Sequence, residues 1–295
     1  MPASQSGIFV EGSRHHHFLE YQIDAAVDRD ALREAAGQVR AFDGGGVNAV
    51  LAFGAGLWPR IMPDAVPAGL RPFRDIGDGD RKAPATQRDL FVWLHGQDSA
   101  DVLDGAMAAH AMLGNLGTAM LDQPGFTYRD SRDLIGFVDG TANPKDDARF
   151  DAALIPDGQP GAGGAYVLSQ KWVHNLPAFH ALGVEDQERV VGRTKTDDIE
   201  LEGDAMPADS HVSRTDVKID GVAQKIYRRS APYGAAAEHG LYFLAFACDP
   251  GRFQVQLDRM YGVAGDGLHD RLTDFSRAVT GSYWYAPDAA TLGKL

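Results

Sequence analysis

The sequence predicts an α+β fold: two ferredoxin-like units packed sheet to sheet in a dimeric α+β barrel-like arrangement. Three observations carry this. Short segments of alternating or unbroken apolar residues read as strands. Between them lie stretches with apolar residues three or four apart, which read as helices. After a break rich in glycine and proline the same alternation resumes, with no visible sequence identity between the halves.

Taken in order, HFLEYQI (residues 17–23) alternates Phe18, Glu20 and Gln22 against Leu19, Tyr21 and Ile23, a half-buried strand. The preceding His15, His16 and His17 would alternate faces on a strand. They therefore cannot converge on one metal ion and read as an exposed strand start. Residues 29–42 carry Leu32, Ala35, Ala36, Val39 and Phe42 at helical spacing. A turn at residues 44–46 leads to the apolar strand VNAVLAF, and residues 59–84, with Pro and Gly throughout, read as a long loop. DLFVWLH (89–95) is a strand. A helix is expected over 99–118, with Val102, Ala106, Ala109, Leu113 and Leu116 on its buried face and Ser99 as its cap. Strand–helix–strand occurring twice is the ferredoxin-like order.

Residues 145–164 turn polar, then Gly- and Pro-rich, and mark a linker between an N-terminal unit, 1–144, and a C-terminal unit, 165–295. In the second unit AYVLSQKWVHN and LYFLAFAC read as strands, and residues 185–191 as a helix. Asp220-Gly221 reads as a two-residue hairpin turn. Two further helices are expected, one through Phe253, Leu257 and Met260, the other through Leu268, Leu272, Phe275 and Val279.

Composition narrows the function. At 295 residues, with 44% hydrophobic and 23% charged residues, the chain has the make-up of a soluble globular protein. A net charge of −13 argues against nucleic acid or an anionic membrane surface as partner. The single cysteine, Cys248, permits no internal disulfide, zinc-thiolate site or iron–sulfur cluster, and packs as a small hydrophobe. The first residues show no secretory signal or membrane span, so cytoplasmic residence is expected. A short tail after Pro287 leaves little room for a targeting extension, so nothing supports encapsulation as cargo. A homo-oligomer is expected.

The stretch RDLIGFVDGTANP (132–144) places Asp139 before Gly140, after the apolar residues Leu134, Ile135, Phe137 and Val138. A strand-like run ending in Asp-Gly reads first as a turn. The sharper reading is that the glycines admit another body close to the backbone, with Asp139 aimed at it. A second cluster lies downstream, in SHVSRTD around His211 and IYRRSAPYG around Arg228, seventeen positions on. Gly136-x-x-Asp139-Gly140, then this histidine, then this arginine, resemble the dye-decolourising peroxidases, and the chain is closest in kind to their shorter bacterial B class. The likeness spans most of the chain and is strongest from Gly136 onward.

The resemblance implies a haem b cofactor and a peroxidase that reduces hydrogen peroxide through a ferryl intermediate and oxidises dyes, phenolics or similar organic donors. His211 would be the axial iron ligand, with Asp139 and Arg228 on the opposite, open side. Ser230 would hydrogen-bond water or peroxide there. An iron ligand and an arginine on opposite porphyrin faces cannot be neighbours on one sheet face, so His211 is expected in a loop preceding the strand. Asp270 would polarise His211. Its sequence position equally suits a helix cap or a solvated pair with Asp274. Arg214 would meet a haem propionate or lie on a surface strand. Thr141 and Asn143 would touch the haem edge through backbone groups. Ala142 stands where the family often has Glu, which puts a cation site near the haem in doubt. Trp58, Trp93, Trp172 and Trp284, like the tyrosines, are radical carriers or, more simply, core residues. The rival readings are a haem-binding or haem-iron handling protein without peroxidase turnover, and a haem-free binding module.

Overall fold

The computed structural model describes residues 3–295. The N-terminal half contains β1 (His15–Ile23), α1 (Arg29–Arg40), β2 (Val47–Phe53) and the short α2 (Trp58–Ile61). A hairpin of β3 (Ile76–Asp78) and β4 (Arg81–Ala83) follows, then β5 (Leu90–Gly96), α3 (Ser99–Leu113) and β6 (Gly117–Phe126). After α4 (Ala148–Ala153) come β7 (Ala165–His174), α5 (Leu176–His180), α6 (Val184–Val191) and α7 (His211–Thr215). The chain closes with a hairpin of β8 (Lys218–Ile219) and β9 (Val222–Ala223), then β10 (Tyr227–Arg228), β11 (Ala231–Gly234), β12 (His239–Ala247), α8 (Gly251–Met260), β13 (Ser276–Ala278), β14 (Ser282–Ala286) and α9 (Ala289–Leu292).

The long helices start where side chains satisfy their free N–H groups. Asp28 accepts from the Asp30 and Ala31 N–H groups at the head of α1. Asp98, rather than the expected Ser99, caps α3. Each then buries one apolar stripe: Leu32, Ala35, Ala36 and Val39 on α1, and Val102, Ala106, Ala109 and Leu113 on α3.

Ten strands form one antiparallel sheet in the order β10-β12-β7-β14-β2-β5-β1-β6, with β11 also on β12 and β13 on β7. Within each half the strands lie second, third, first, fourth, so both halves are ferredoxin-like units. They join where β14 meets β2, Tyr285 opposite Phe53. At the other seam β6 and β11 approach closely: a methyl group on Gly125 would lie 3.2 Å from the Pro232 carbonyl. No ladder joins them among the described residues, so the sheet curls without closing into a barrel.

The sheet is apolar on both faces, which explains its unbroken hydrophobic runs. Leu90, Val92 and Leu94 of β5 pack towards the helices, and Phe91 and Trp93 point into the interior between the halves. There Phe18 stacks on Tyr242 at 4.0 Å and Phe91 on Trp284 at 5.6 Å. One carboxyl sits among them. Glu20 accepts from the Tyr242 hydroxyl at 2.7 Å and the Ser169 hydroxyl at 3.1 Å, while Trp284 Nε1 donates to Ser169. Burial pushes the Glu20 carboxyl up to about 7, against the lowering effect of those two hydrogen bonds. Trp284 is wholly buried and ties β14 to both halves. Trp284→Ala is expected to cost about 3–5 kcal/mol in chemical denaturation, as one cooperative transition. A much smaller loss would mean that the halves do not share this core.

Several expectations need correction. β1 is buried on both faces, not half-buried, and His16 and His17 are buried, not an exposed start. His17 Nε2 meets Asp122 on β6 at 2.5 Å. Residues 59–84 include α2 and the β3–β4 hairpin. The helix expected through Leu268 to Val279 is a single 3-10 turn, Arg271–Asp274, followed by β13. All four tryptophans are buried, which fits their reading as core residues. No helix is long and apolar enough to cross a membrane among the described residues.

Candidate functional site

The segment from Arg132 to Pro144 is a knotted turn, not the strand its apolar run suggested. Gly136 and Gly140 take φ of +96° and +90°, which other residues adopt only with strain. A Cβ at Gly136 would also lie 2.7 Å from Lys195 Cε. The Asp133 N–H donates to the Phe137 carbonyl, and the Asp139 N–H to that of Ser131, both at 2.9 Å. Arg132 Nη1 donates to the carbonyls of Gly136 (2.9 Å) and Lys195 (2.7 Å). Ile135 and Phe137 anchor the turn in a small core with Phe179, Val190 and Val191. The apolar residues are used inward, which leaves Asp139 facing outward from the turn.

Arg228 meets it there, with Nη2 3.5 Å from Asp139 Oδ1. Asn143 fixes the pair. Its Nδ2 donates to the Arg228 carbonyl at 2.8 Å and its Oδ1 accepts from the Arg228 N–H at 2.9 Å. The side chain is therefore an extra rung between the turn and β10. The Asn143 side chain thus acts on the backbone of Arg228.

His211 opens α7 rather than lying in a loop, and Ser210 caps that helix by accepting from the Ser213 N–H. His211 Nδ1 lies 2.6 Å from Asp270 Oδ2. Asp270 is 0% exposed, and its other oxygen accepts from the Leu272 N–H at 2.9 Å. A carboxylate can only accept, so it assigns the imidazole proton to Nδ1 and leaves the Nε2 lone pair free. Nε2 has no partner among the described residues. Asp270 is thus both a helix cap and the partner of His211. Asp274 is elsewhere, paired with His269 at 3.1 Å and Arg81 at 3.3 Å.

His211, Asp139 and Arg228 all line one cavity of about 460 Å³. Its walls are largely apolar, including Ile135, Phe137, Leu168, Phe243, Leu257 and Leu272. Of the other expected residues, Thr141 and Ala142 line it too, and the Thr141 hydroxyl donates to Asp198. Ser230 borders an adjoining cavity that shares Asp139 and Arg228 with the first. Arg214 is the clear correction. It is 1% exposed, so it is no surface residue, and it is not among the residues that line the cavity. Its guanidinium grips Asp266 at 2.6 and 3.1 Å and donates to the carbonyls of Arg259 and Leu268. It therefore braces α7, with four of its five N–H groups engaged.

The structure adds residues that the pattern did not mark. Arg193 lines the cavity just past the glycine that ends α6, held by the Asp198 carbonyl and by Glu200 at 2.6 Å. Gln170 reaches in from β7 with its Nε2 buried and unpartnered. His174, also on β7, meets Ser276 at 2.7 Å and Asp133 at 3.1 Å. Arg193 sits in a polar stretch without periodicity, and the two β7 residues read as ordinary strand polars, so no local signal identified them.

Comparison with known proteins identifies the family of the chain. The model of the Dyp-type peroxidase N-terminal domain matches residues 5–119, and that of the C-terminal domain residues 130–291. A dye-decolorizing peroxidase of Mycobacterium tuberculosis is 36% identical over 270 residues, covering 89% of this chain and 81% of the relative. A dye-decolorizing protein from V. cholerae superposes with a TM-score of 0.90 at 36% identity, over 99% of each chain. A variant of DypB from Rhodococcus jostii RHA1, solved in complex with haem, gives 0.93 at 34% identity, again over 99% of each. The chain belongs to the Dyp-type peroxidase family.

Proposed function

We propose that this chain is a haem-dependent peroxidase that reduces hydrogen peroxide with electrons from organic donors such as dyes or phenolics. One observation carries the reading: a single apolar cavity is lined both by an imidazole with a free Nε2 and by an acid–guanidinium pair. These residues fit a haem. The free His211 Nε2 would hold the iron, the apolar walls suit a porphyrin, and Gln170 Nε2 is a buried donor with no protein acceptor. Haem, when bound, supplies the redox chemistry towards peroxide and donor.

In this reading His211 would hold the iron, and Asp270 keeps the imidazole proton on Nδ1 and would increase the basicity of Nε2. Asp139 takes a proton from peroxide and returns it to the departing oxygen. Arg228, cationic at any working pH, stabilises negative charge on that oxygen. Ser230 supplies a hydroxyl on the approach past that pair. Arg193, whose guanidinium meets Glu200 and the Asp198 carbonyl, lines the cavity and would be a cation available to a propionate. A protein that only carried haem would have no use for an acid and a guanidinium fixed 3.5 Å apart by an asparagine rung. The reading places the protein in the cytoplasm as a homo-oligomer, with residues 145–164 joining its two units.

Asp139→Asn tests the proton step. The second-order rate with peroxide is expected to fall by about 10²-fold or more, with haem content unchanged. A rate in Asp139→Asn within a few-fold of wild type would show that this carboxylate is not the base.

A further inference from the structure

The adjoining cavity has chemistry that the peroxide step does not use. It measures about 620 Å³, within the range of small-molecule sites, and opens between the loop after β6, the N-terminal loop and β10–β11. Five cationic side chains line it against three carboxylates, in a protein of net charge −13.

Most of these charges are already committed. Arg132 is bound to Asp130 and to backbone carbonyls. Arg229 donates to the Ile8 and Val10 carbonyls and lies over the Trp93 ring. Glu11 accepts from the Tyr227 hydroxyl at 2.7 Å, and Asp139 faces Arg228. His16 adds no charge, since burial first and Arg229 second push it down to about 3. Two cations remain. Arg149 lies against the rings of Phe150 and Phe9, at 4.9 and 5.8 Å, and makes no ion pair among the described residues. Its Nε is buried with no hydrogen-bond partner. Lys145 is exposed at the rim, likewise without a partner among the described residues.

The Arg149 Nη groups are not buried and have no protein acceptor among the described residues, so they are open to the oxygens of a ligand. The planar guanidinium suits an oxyanion with two oxygens, and the lysine can add a point charge at the mouth. We propose that this second cavity binds the carboxylate of an anionic aromatic electron donor through Arg149 and Lys145, beside Asp139 and Arg228. The assignment rests on the peroxidase reading for the word donor. The binding itself does not depend on it.

The test is calorimetric titration of the full-length chain, without peroxide, using 4-hydroxybenzoate and its neutral analogue 4-hydroxybenzamide. The carboxylate is expected to bind about tenfold or more tightly than the amide, with the preference shrinking as salt rises. Arg149→Gln with Lys145→Gln is expected to erase the preference, and Arg149→Lys to restore part of it. Should the double variant fold poorly, the salt dependence of the wild-type preference decides. Equal affinity for the two ligands, or a salt-independent preference, overturns the proposal. So does a preference that survives in the folded double variant. Carboxylate binding in a haem-loaded chain that does not turn over peroxide would sink the peroxidase reading and leave the anion site standing. Normal turnover with an unchanged KM for 4-hydroxybenzoate in the double variant would sink the anion site alone.

Discussion

His211→Gly is expected to lose haem. The purified variant should show little Soret absorbance, and its affinity for added haem should fall by more than about 100-fold, beyond the 10–100-fold typical of losing only a ligand's supporting partner. The geometry leaves no substitute. The one other histidine that lines the cavity, His174, has both ring nitrogens engaged, by Ser276 and Asp133. Turning it towards an iron would break both contacts and leave Asp133, itself buried, short of a partner. The variant should still fold. His211 is partly exposed, and α7 is held by the Ser210 cap and by the Arg214–Asp266 pair, neither of which needs the imidazole. Full haem retention in a folded variant would show that the ligand lies elsewhere.

The second large effect is expected at Arg228. Arg228→Ala should lower kcat/KM for hydrogen peroxide by about 10²–10³-fold, or about 2.7–4 kcal/mol, the range for removing one preorganised donor from a developing oxyanion. Haem content should not change. The effect should be local, because Asn143 binds the backbone of residue 228 and not its side chain, so truncation leaves the rung between turn and strand intact. The companion change Asn143→Ala removes the rung and keeps the guanidinium, and separates positioning from chemistry. Stopped-flow mixing with peroxide reads both. A rate in Arg228→Ala within a few-fold of wild type would mean that the guanidinium only balances Asp139.

Legibility of the sequence followed the physical origin of each feature. Regular elements with a repeating apolar pattern were readable: α1 and α3 show their stripes, and β5, β7 and β12 their hydrophobic runs. The Asp220-Gly221 turn was readable because both residues must take positive φ, and they do, at +50° and +78°. Failures came where tertiary contacts override local pattern. Leu134 to Val138 look like a strand, but Ile135 and Phe137 are anchors of a turn. Leu268 to Val279 have helical spacing, yet Phe275 packs against Phe179, 5.5 Å away, and residues 276–278 add to the sheet beside β7.

The site shows the same division. Asp139, His211 and Arg228 could be marked from motif order. That Asp270 rather than Asp274 serves His211 depends on a fold contact across 59 positions, and its burial contradicts the solvated face that helical spacing implied. Arg214 misled because a basic residue three positions after a ligand candidate is equally consistent with a brace and with a propionate clamp. Only the position of Asp266 distinguishes them.

The central claim is that the imidazole of residue 211, held by a buried acid, is the sole protein ligand of a haem iron. Resonance Raman spectroscopy of the ferrous, haem-loaded protein tests it most directly. The expected result is an iron–imidazole stretching band in wild type, absent from His211→Gly reconstituted with haem and restored there by added imidazole. A band that persists unchanged in His211→Gly without imidazole would contradict the account.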